Sequence, residues 1–395
     1  MPGPLHGYRI VDLSQIVSGP MATMLLSDQG ADVVKVEPVD GQDVLRRPNF
    51  SRGGFSAFFL NNNRGKRSLA VDLHRTEGRQ VILDLVATAD VFVQNFRPGV
   101  CDRMGLGYED LRAVNPDLVY VSISGFGPTG PYADRPILDP VIQGLTGMVA
   151  YQVNPDIPFP DLVRNIVSDK STALTVAQAI TAALLARERG AGGQHLELSM
   201  LDACIAFLFV DGAEHEVILE GDYSGPQSVA ANNTPLAFDG GFAAVTVPTD
   251  KEFHGLARAM GVDSSDPELA TVRDRTANRE KAMAFHRAVR ENATRLTVSE
   301  AEALLEANQV PFGIVRAVNE IQNDPQVIAN GIFSEFDHPA AGRVRHHRPP
   351  TRFHGTPTEL REPAAPTLGQ HSDEILAETG RADRIDELRT AGVVG

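Results

Sequence analysis

The feature that most constrains the fold is a strand–helix–strand unit in residues 8–37. Residues 8–13, Tyr-Arg-Ile-Val-Asp-Leu, have the composition of a strand, and Ser18-Gly19-Pro20 opens a predicted helix that runs to Gln29. Gly30 ends the helix, and residues 31–37 predict a second strand. A crossover of this length joins two parallel strands of one sheet. The turn lacks the G-x-G-x-x-G pattern, so a dinucleotide site is not predicted there.

The same alternation continues along the chain. Strands are predicted at residues 68–73, 91–94, 118–124 and 194–199, with a helix at residues 76–87. Alternating strands and helices favour an α/β fold with a doubly wound, Rossmann-like sheet. Ligands bind beyond the carboxyl ends of the strands in such sheets. The loops that begin at Asn95 and Gly125 are therefore candidate binding segments.

Two changes of pattern predict the domain organisation. Residues 221–240 contain glycine, proline and asparagine without a regular period, which is typical of a linker. Strand and helix patterns resume after this linker and predict a smaller α/β domain at residues 241–318. We therefore predict a large domain that begins with residues 1–220 and is completed when the chain returns at residues 319–395.

Asp169 stands at the start of a predicted helix. Residues 171–189 are an uninterrupted run of helix-favouring residues, and the glycine-rich segment 190–193 suits a left-handed C-cap. Unpaired backbone N–H groups and the helix dipole favour the ionised form of a carboxylate at such a start. Asp169 can act there as an ordinary N-terminal cap or as an ionised carboxylate that attacks an electrophile.

Charge restricts the possible ligands. The net charge of the 395-residue chain is −15, which argues against a broad nucleic-acid-binding surface. An anionic ligand would therefore need a local group of cations. Five cations near predicted loops are candidates for a phosphate site, with a solvated loop as the alternative. They are Arg64, Lys66, Arg67, Arg97 and Arg103.

Other features bear on the location of the protein. No apolar run reaches the ~18 residues that a membrane span needs, and the N-terminus lacks the segments of a signal peptide. The two cysteines, Cys101 and Cys204, do not suggest a disulfide framework. We expect a cytoplasmic protein that binds neither membranes nor nucleic acid. His346 and His347 lack ligand partners at suitable spacing, so no metal site is predicted.

A set of short motifs runs along the chain. They are Gly19-Pro20, residues 30–37, Asn62 with Lys66-Arg67-Ser68 and Asp72-Leu73, residues 95–99 with Arg103-Met104-Gly105, residues 125–127, Asp169, Gly193-Gln194 and residues 368–371. Together these motifs resemble those of the family III CoA-transferases, which include formyl-CoA transferase and carnitine CoA-transferase. The resemblance covers the whole chain. With the long return of the chain, it implies an interlocked homodimer.

The resemblance also implies a reaction. In this family an aspartate at the position of Asp169 attacks the carbonyl of an acyl-CoA donor, giving a mixed anhydride and CoA thiolate. The thiolate then attacks the aspartyl carbonyl to form an enzyme thioester, and a carboxylic acid acceptor repeats the steps in reverse. The covalent intermediates divide one difficult exchange into two accessible steps. Coenzyme A is then part of a substrate, and no permanently bound cofactor is expected.

Contacts with CoA follow from the same resemblance. By position they are Ile16, Val17, Val71, Leu73 and His74 near the adenosine, Asn95, Phe96, Arg97 and Arg103 along the phosphates and pantetheine, and Asp139 near the reacting end. Two alternatives are a 2-methylacyl-CoA racemase of the wider superfamily and a CoA-binding protein without catalysis. Racemases pair the aspartate with a histidine, and Leu138 stands at that position, which disfavours a racemase. A protein that only binds CoA would not need Asp169.

Overall fold

The computed structural model describes residues 3–41, 43, 45–46, 51–152, 160–212, 214–220, 235–358 and 364–395. Its strands are β1 (Arg9–Asp12), β2 (Asp32–Glu37), β3 (Ser51–Arg52), β4 (Phe55–Ser56), β5 (Arg67–Ala70), β6 (Val91–Gln94), β7 (Val119–Ser124), β8 (Gln194–Ser199), β9 (Leu236–Phe238), β10 (Gly241–Val245), β11 (Phe312–Ile314), β12 (Phe333–His338) and β13 (Gly342–His347). The chain divides into two compact units, Met1–Ala213 with Gly331–Gly395, and Glu214–Asn330.

Helices surround the strands in both units. They are α1 (Ser18–Ser27), α2 (Ala57–Asn63), α3 (Thr76–Val86), α4 (Val100–Arg103), α5 (Tyr108–Val114), α6 (Asp139–Leu145), α7 (Met148–Tyr151), α8 (Val167–Ala186), α9 (Met200–Leu208), α10 (Glu214–Val217), α11 (Asp250–Met260), α12 (Val272–Ala277), α13 (Arg279–Ala293), α14 (Val298–Ala307), α15 (Pro325–Asn330), α16 (Ser372–Glu378) and α17 (Ile385–Thr390). In the described part of the chain, none of them is long and apolar enough to cross a bilayer.

The large unit is built on a six-stranded sheet. Its strand order is β5-β2-β1-β6-β7-β8, and all neighbouring strands are parallel. Counted along the chain, this order is 3-2-1-4-5-6, that of a doubly wound α/β fold. The predicted fold class is therefore confirmed for this unit. The order reverses between β1 and β6, and ligands of such folds bind beyond the carboxyl ends of the strands at this reversal.

Hydrophobic residues fill both faces of this sheet. Val11 belongs to the core on the face covered by α3, α16 and α17. The preceding residue, Ile10, belongs to the core on the other face, with α1 and α8. Successive side chains of a strand point to opposite faces, so a sheet covered on both sides needs nearly continuous apolar strands. This composition explains why the sequence predicted these strands close to their observed positions.

The longest helix, α8, begins at Val167 and ends at Ala186, followed by a π-helical turn, Arg187–Ala191. The sequence predicted a left-handed cap in the segment 190–193, and Gly190 has φ 91° there. Glycine adopts this conformation without the steric penalty that a Cβ brings. The prediction is confirmed, and the helix begins slightly earlier than predicted, so that Asp169 is its third residue.

The small unit has its own sheet and core. Strands β11, β10 and β9 form an antiparallel sheet, and residues of α11, α13 and α14 pack against it. The span 221–240 was predicted as a linker, but Leu236–Phe238 is a strand because the side chains of both end residues are buried in this core. Residues 221–234 lie outside the described residues.

Candidate active site

A cleft opens at the carboxyl edge of the large sheet, where its strand order reverses. Residues that follow β1, β6 and β7 line it, together with the start of α8. Of the predicted site residues, the cleft brings together Ile16, Asn95, Phe96, Arg97 and Asp169. These residues come from three segments that are far apart in sequence, and the parallel sheet gathers the segments because its strands end at the same edge.

Asp169 is the titratable group most altered by this environment. Only 8% of the surface of Asp169 is exposed to solvent. Burial raises the pKa of its carboxyl, the charge of Asp139 raises it further, and a hydrogen bond from the backbone N–H of Ser18 lowers it, so that the pKa is about 6. The carboxylate is therefore mostly ionised at neutral pH but poorly solvated. A carboxylate in that state is suited to nucleophilic attack.

Asp139, the first residue of α6, is buried beside Asp169. Nε2 of Gln143 donates to both of its carboxylate oxygens, at 3.1 and 3.0 Å. The backbone N–H of Ser168 donates to Oδ1 at 3.3 Å. Oε1 of Gln143 also accepts from the backbone N–H of Val163 at 2.9 Å. Gln143 thus ties α6 to the segment that leads into α8 and fixes the spacing of the two aspartates.

The loop between β1 and α1 approaches Asp169 from the other side. It is anchored at Asp12, which accepts from the backbone N–H of Ser14 at 2.9 Å and from the hydroxyl of Thr23 at 2.7 Å. Position 19 must be glycine here, because a Cβ would lie 2.2 Å from the Cβ of Ser14. This close contact places the start of α1, with the N–H of Ser18, at the cleft.

The side chain of Asn95 clamps this loop. Its Oδ1 accepts from the backbone N–H of Gln15 at 2.8 Å, and its Nδ2 donates to the carbonyl of Gln15 at 2.7 Å. Both polar atoms of the side chain are therefore engaged by the protein. The next residue, Ile16, has φ 67°. This left-handed conformation is strained for a β-branched residue.

Two of the predicted phosphate-binding cations are exposed near the cleft. Arg97 lines it, and Arg103 lies close to the same loop, since a Cβ at Gly99 would be 3.0 Å from Nη1 of Arg103. Within the described residues neither guanidinium has a carboxylate partner. A third exposed cation of the cleft is Arg135, whose Cζ lies 3.7 Å from the ring centroid of Tyr132.

The other three predicted cations do not contribute to a phosphate site. Arg64 pairs with Asp28 at 2.5 Å and Lys66 with Asp12 at 2.9 Å. Arg67 pairs with carboxylates of β2 and α16. Each of the three residues is no more than 1% exposed. The prediction is wrong for them because carboxylates from other strands and helices neutralise them inside the fold.

The remaining predicted CoA contacts occupy different environments. Val17 is buried, and Val71 packs in the core beside α3. Leu73 packs partly against the same core, while His74 is exposed. Val71, Leu73 and His74 follow β5 at the outer end of the sheet and do not line the cleft that contains Asp169.

Some candidate chemistry can be set aside. Leu138, at the position of the racemase histidine, is 58% exposed and lines the cleft. Burial raises the pKa of the Cys101 thiol to about 12, so this cysteine is not a reactive thiolate. Among the described residues, no group of three or more histidine, cysteine, aspartate or glutamate side chains could hold a metal ion.

Comparison with known proteins assigns the chain. Residues 5–372 match the family described as CoA-transferase family III. The chain belongs to that family. This CoA-transferase is 32% identical to the succinate–glutarate CoA-transferase of Agrobacterium fabrum, over 96% of this chain and 97% of that protein. It is 33% identical to the succinyl-CoA:mesaconate CoA-transferase of Haloarcula marismortui, again over 96% of this chain and 97% of that protein.

A solved structure agrees with this assignment. The crystal structure of a CAIB/BAIF family protein from Brucella suis has a TM-score of 0.81 and 33% sequence identity, and covers 96% of this chain and 100% of that one. The transferase prediction is confirmed over the racemase and the non-catalytic protein. The CoA-transferase accordingly uses CoA thioesters and carboxylates as substrates.

Sequence reasoning missed several residues of the site. Gln143 was recognisable in principle, because residues i and i+4 are neighbours on a helix and it follows Asp139 at that spacing. No sequence spacing indicated that the backbone N–H of Ser18 would face the cleft. None indicated that Asn95 would hold Gln15. These contacts join segments of the CoA-transferase that only the folded sheet brings together.

Proposed function

We propose that Asp169 is the nucleophile of this CoA-transferase. The observation that carries the proposal is its buried carboxylate, which lines the cleft beside Asp139 and has a pKa of about 6. Above that pH the group is ionised, yet within the described residues no cation pairs with it. The carboxylate therefore keeps its nucleophilicity, because no strong ion pair neutralises its charge.

The proposed reaction proceeds through two kinds of covalent intermediate. An oxygen of Asp169 attacks the thioester carbonyl of the donor and expels CoA thiolate, which leaves a mixed anhydride. The thiolate attacks the aspartyl carbonyl and releases the donor acid as its carboxylate, so that CoA is held as an aspartyl thioester. The acceptor carboxylate attacks this thioester, and the returning thiolate takes the acceptor acyl group and frees Asp169. No water or redox reagent enters the sequence.

Replacement of the nucleophile is the direct test. Asp169→Asn should lower CoA transfer by at least about 10³-fold, because an amide carries no charge and cannot form the anhydride. Calorimetric binding of CoA should be nearly unchanged, since the amide keeps the shape of the side chain. Transfer of labelled CoA between an acyl-CoA and a free carboxylate is the measurement.

The control for this variant is Asp202→Asn. Asp202 is the third residue of α9, as Asp169 is of α8, but it is exposed. It should retain full activity. Transfer that survives in Asp169→Asn, with CoA binding intact, would remove Asp169 as the nucleophile.

We also propose that the carboxylate substrates are dicarboxylates. The relatives are named for succinate with glutarate and for succinyl-CoA with mesaconate. Arg135 lines the same cleft as Asp169, so a cation is available for a second carboxylate. Glutarate and valerate have the same number of carbons and differ in one carboxylate. Equal rates of transfer from succinyl-CoA to these two acids would contradict the proposal.

For CoA itself we propose that Arg97 and Arg103 hold the phosphates, with Phe96 beside the pantetheine. Ile16, Val17, Val71, Leu73 and His74 remain proposed contacts near the adenosine. Both arginines are exposed and lack carboxylate partners among the described residues. Replacement of either by alanine should weaken CoA binding by about 1–3 kcal/mol, the scale of charge-assisted hydrogen bonds. Unchanged affinity in calorimetry would mean that the two arginines are surface charges that do not bind CoA.

The wider organisation is also proposed. We propose a division into a large CoA-binding domain and a small domain, assembled as an interlocked homodimer, in a protein without a permanent cofactor. Cys101 and Cys204 are both free thiols, which supports a cytoplasmic location. Threaded chains cannot separate without unfolding, so a dimer should persist in sizing runs at nanomolar concentration, and a clean monomer there would reject the interlock.

A further inference from the structure

The strained loop after β1 is held by groups on both sides. The carbonyl of Ser14 accepts from Nζ of the buried Lys35 at 3.0 Å, which fixes the end near β1. The carbonyl of Val17 accepts from the backbone N–H of Met21 at 2.8 Å, within the first turn of α1. Between these fixed ends, the Asn95 side chain contacts Gln15, and Ile16 takes a positive φ.

The left-handed residue has no local reason to adopt that conformation. Isoleucine disfavours it because its Cβ and branched methyl crowd the neighbouring carbonyl. Such strain persists only where the surrounding contacts over-determine the backbone. At Gln15, the residue just before Ile16, the backbone N–H and the backbone carbonyl are both hydrogen-bonded by one side chain, that of Asn95.

We propose that Asn95 is a positioning residue: by holding the backbone N–H and carbonyl of Gln15 it keeps Ile16 left-handed and keeps the backbone N–H of Ser18 beside the carboxylate of Asp169 in the cleft. This inference rests on the proposed role of Asp169. It gives Asn95 a task different from the CoA contact that the family resemblance implies. Both loops involved follow strands at the reversal of strand order, β1 and β6, so the clamp joins the two halves of the sheet at the cleft.

Loss of the clamp has a defined consequence at Asp169. Without it the loop relaxes toward negative φ at Ile16, and the Ser18 N–H leaves the carboxylate. That hydrogen bond favours the charged form, so its loss raises the pKa of Asp169. Among the described residues, the other titratable groups around this carboxylate are Asp139 from α6, Cys204 from α9, Arg97 after β6 and Arg135 before α6. None of them is altered by the substitution.

The test is a rescue experiment. Asn95→Ala should lower kcat for CoA transfer tenfold or more, leave KM for acyl-CoA within twofold, and move the acid limb of the pH profile to higher pH. Ile16→Gly added to this variant should restore most of kcat, because glycine adopts the left-handed conformation without strain. Ile16→Ala removes the same side chain from the cleft but keeps a Cβ, so it should restore much less.

A matched control is Asn115→Ala. Nδ2 of Asn115 donates to the carbonyls of Val86 and Ala89, away from the cleft. This variant loses a comparable clamp, so it should lose stability without a change in the pH profile and without rescue by Ile16→Gly. If Asn95→Ala does not fold, Asn95→Ser, which keeps one short hydroxyl, takes its place in the same series.

Two outcomes overturn the proposal. A raised KM with kcat unchanged, and no rescue by glycine, means that Asn95 acts as a CoA contact. A crystal structure of Asn95→Ala with Ile16 still left-handed means that the clamp does not hold the loop, whatever the activity. Failure of the nucleophile proposal is seen separately, because Asp169→Asn would then keep transfer in the same assay.

Discussion

Two buried aspartates at the same edge of the sheet have opposite surroundings. Asp12 ends β1 and is 0% exposed, and Asp169 begins α8 and is 8% exposed. Asp12 accepts hydrogen bonds from a serine, a threonine and Lys66. Among the described residues, the neighbouring charge that raises the pKa of Asp169 is a carboxylate, Asp139, while the backbone N–H of Ser18 lowers it.

The difference decides which of the two carboxyls titrates near neutral pH and which keeps a fixed charge. Burial alone would raise the pKa of both carboxyls. At Asp12 burial is opposed by the charges of Lys66 and Lys35 together with hydrogen bonds from Ser14 and Lys66, and the pKa is held at about 2. At Asp169 nothing offsets burial to that extent, and the pKa rises to about 6. An uncompensated buried carboxylate is unfavourable for folding, and such groups concentrate at functional sites.

The largest expected effect is the loss of stability in Asp12→Asn. The substitution leaves Lys66 buried without its carboxylate, and breaking a buried ion pair in this way costs about 3–5 kcal/mol. The measurement is urea-induced unfolding at pH 8. Because the folded pKa of Asp12 is depressed, its stabilising contribution is present above the usual value of 3.8 and is lost as the pH falls through about 2.

Asp169→Asn is the comparison variant for this experiment, and its effect on stability should have the opposite sign. The folded pKa of Asp169 is raised from 3.8 to about 6, so its ionisation destabilises the fold above pH 6 and has no effect below about pH 4. Removal of the charge should then increase the free energy of unfolding at pH 8, by up to about 3 kcal/mol. Equal destabilisation by both substitutions would contradict the contrast between the two sites.

The sequence predicted the frame of this site but not its charge pairs. Buried parallel strands need apolar runs, and glycines end the helices, so the doubly wound sheet and Asp169 at a helix start were both predictable. The partners of the basic residues were not. Lys66 meets Asp12, 54 positions earlier in the chain, and Asn95 meets Gln15 across 80 positions. The sequence shows which residues are charged. Which cations pair with a buried carboxylate, and which stay free to bind a ligand, depends on distances that arise only on folding.

The smallest expected effect is a shift in the pH dependence of CoA transfer in the variant Asp139→Asn. This variant tests the interaction between the two aspartates of the cleft most directly. The amide is close in shape to the carboxylate, and its one oxygen can still accept from Gln143 and from the N–H of Ser168, while the hydrogen bond at the second carboxylate oxygen is lost. It carries no charge, so the pKa of Asp169 should fall, and the acid limb of CoA transfer should move to lower pH.

Burial bounds the size of that shift. It is the larger cause of the raised pKa and is unchanged in the variant, so the acid limb should stay above the usual value of 3.8. The plateau rate at high pH should fall slightly, because a less basic carboxylate is a weaker nucleophile. Asp134→Asn, an equal change of charge at an exposed position in the loop before α6, is the control. Solvent and salt screen a charge there, and its profile should match the parent. An acid limb that stays in place on Asp139→Asn would mean that burial alone sets the pKa of Asp169, and that the neighbouring aspartate serves only to hold the start of α8.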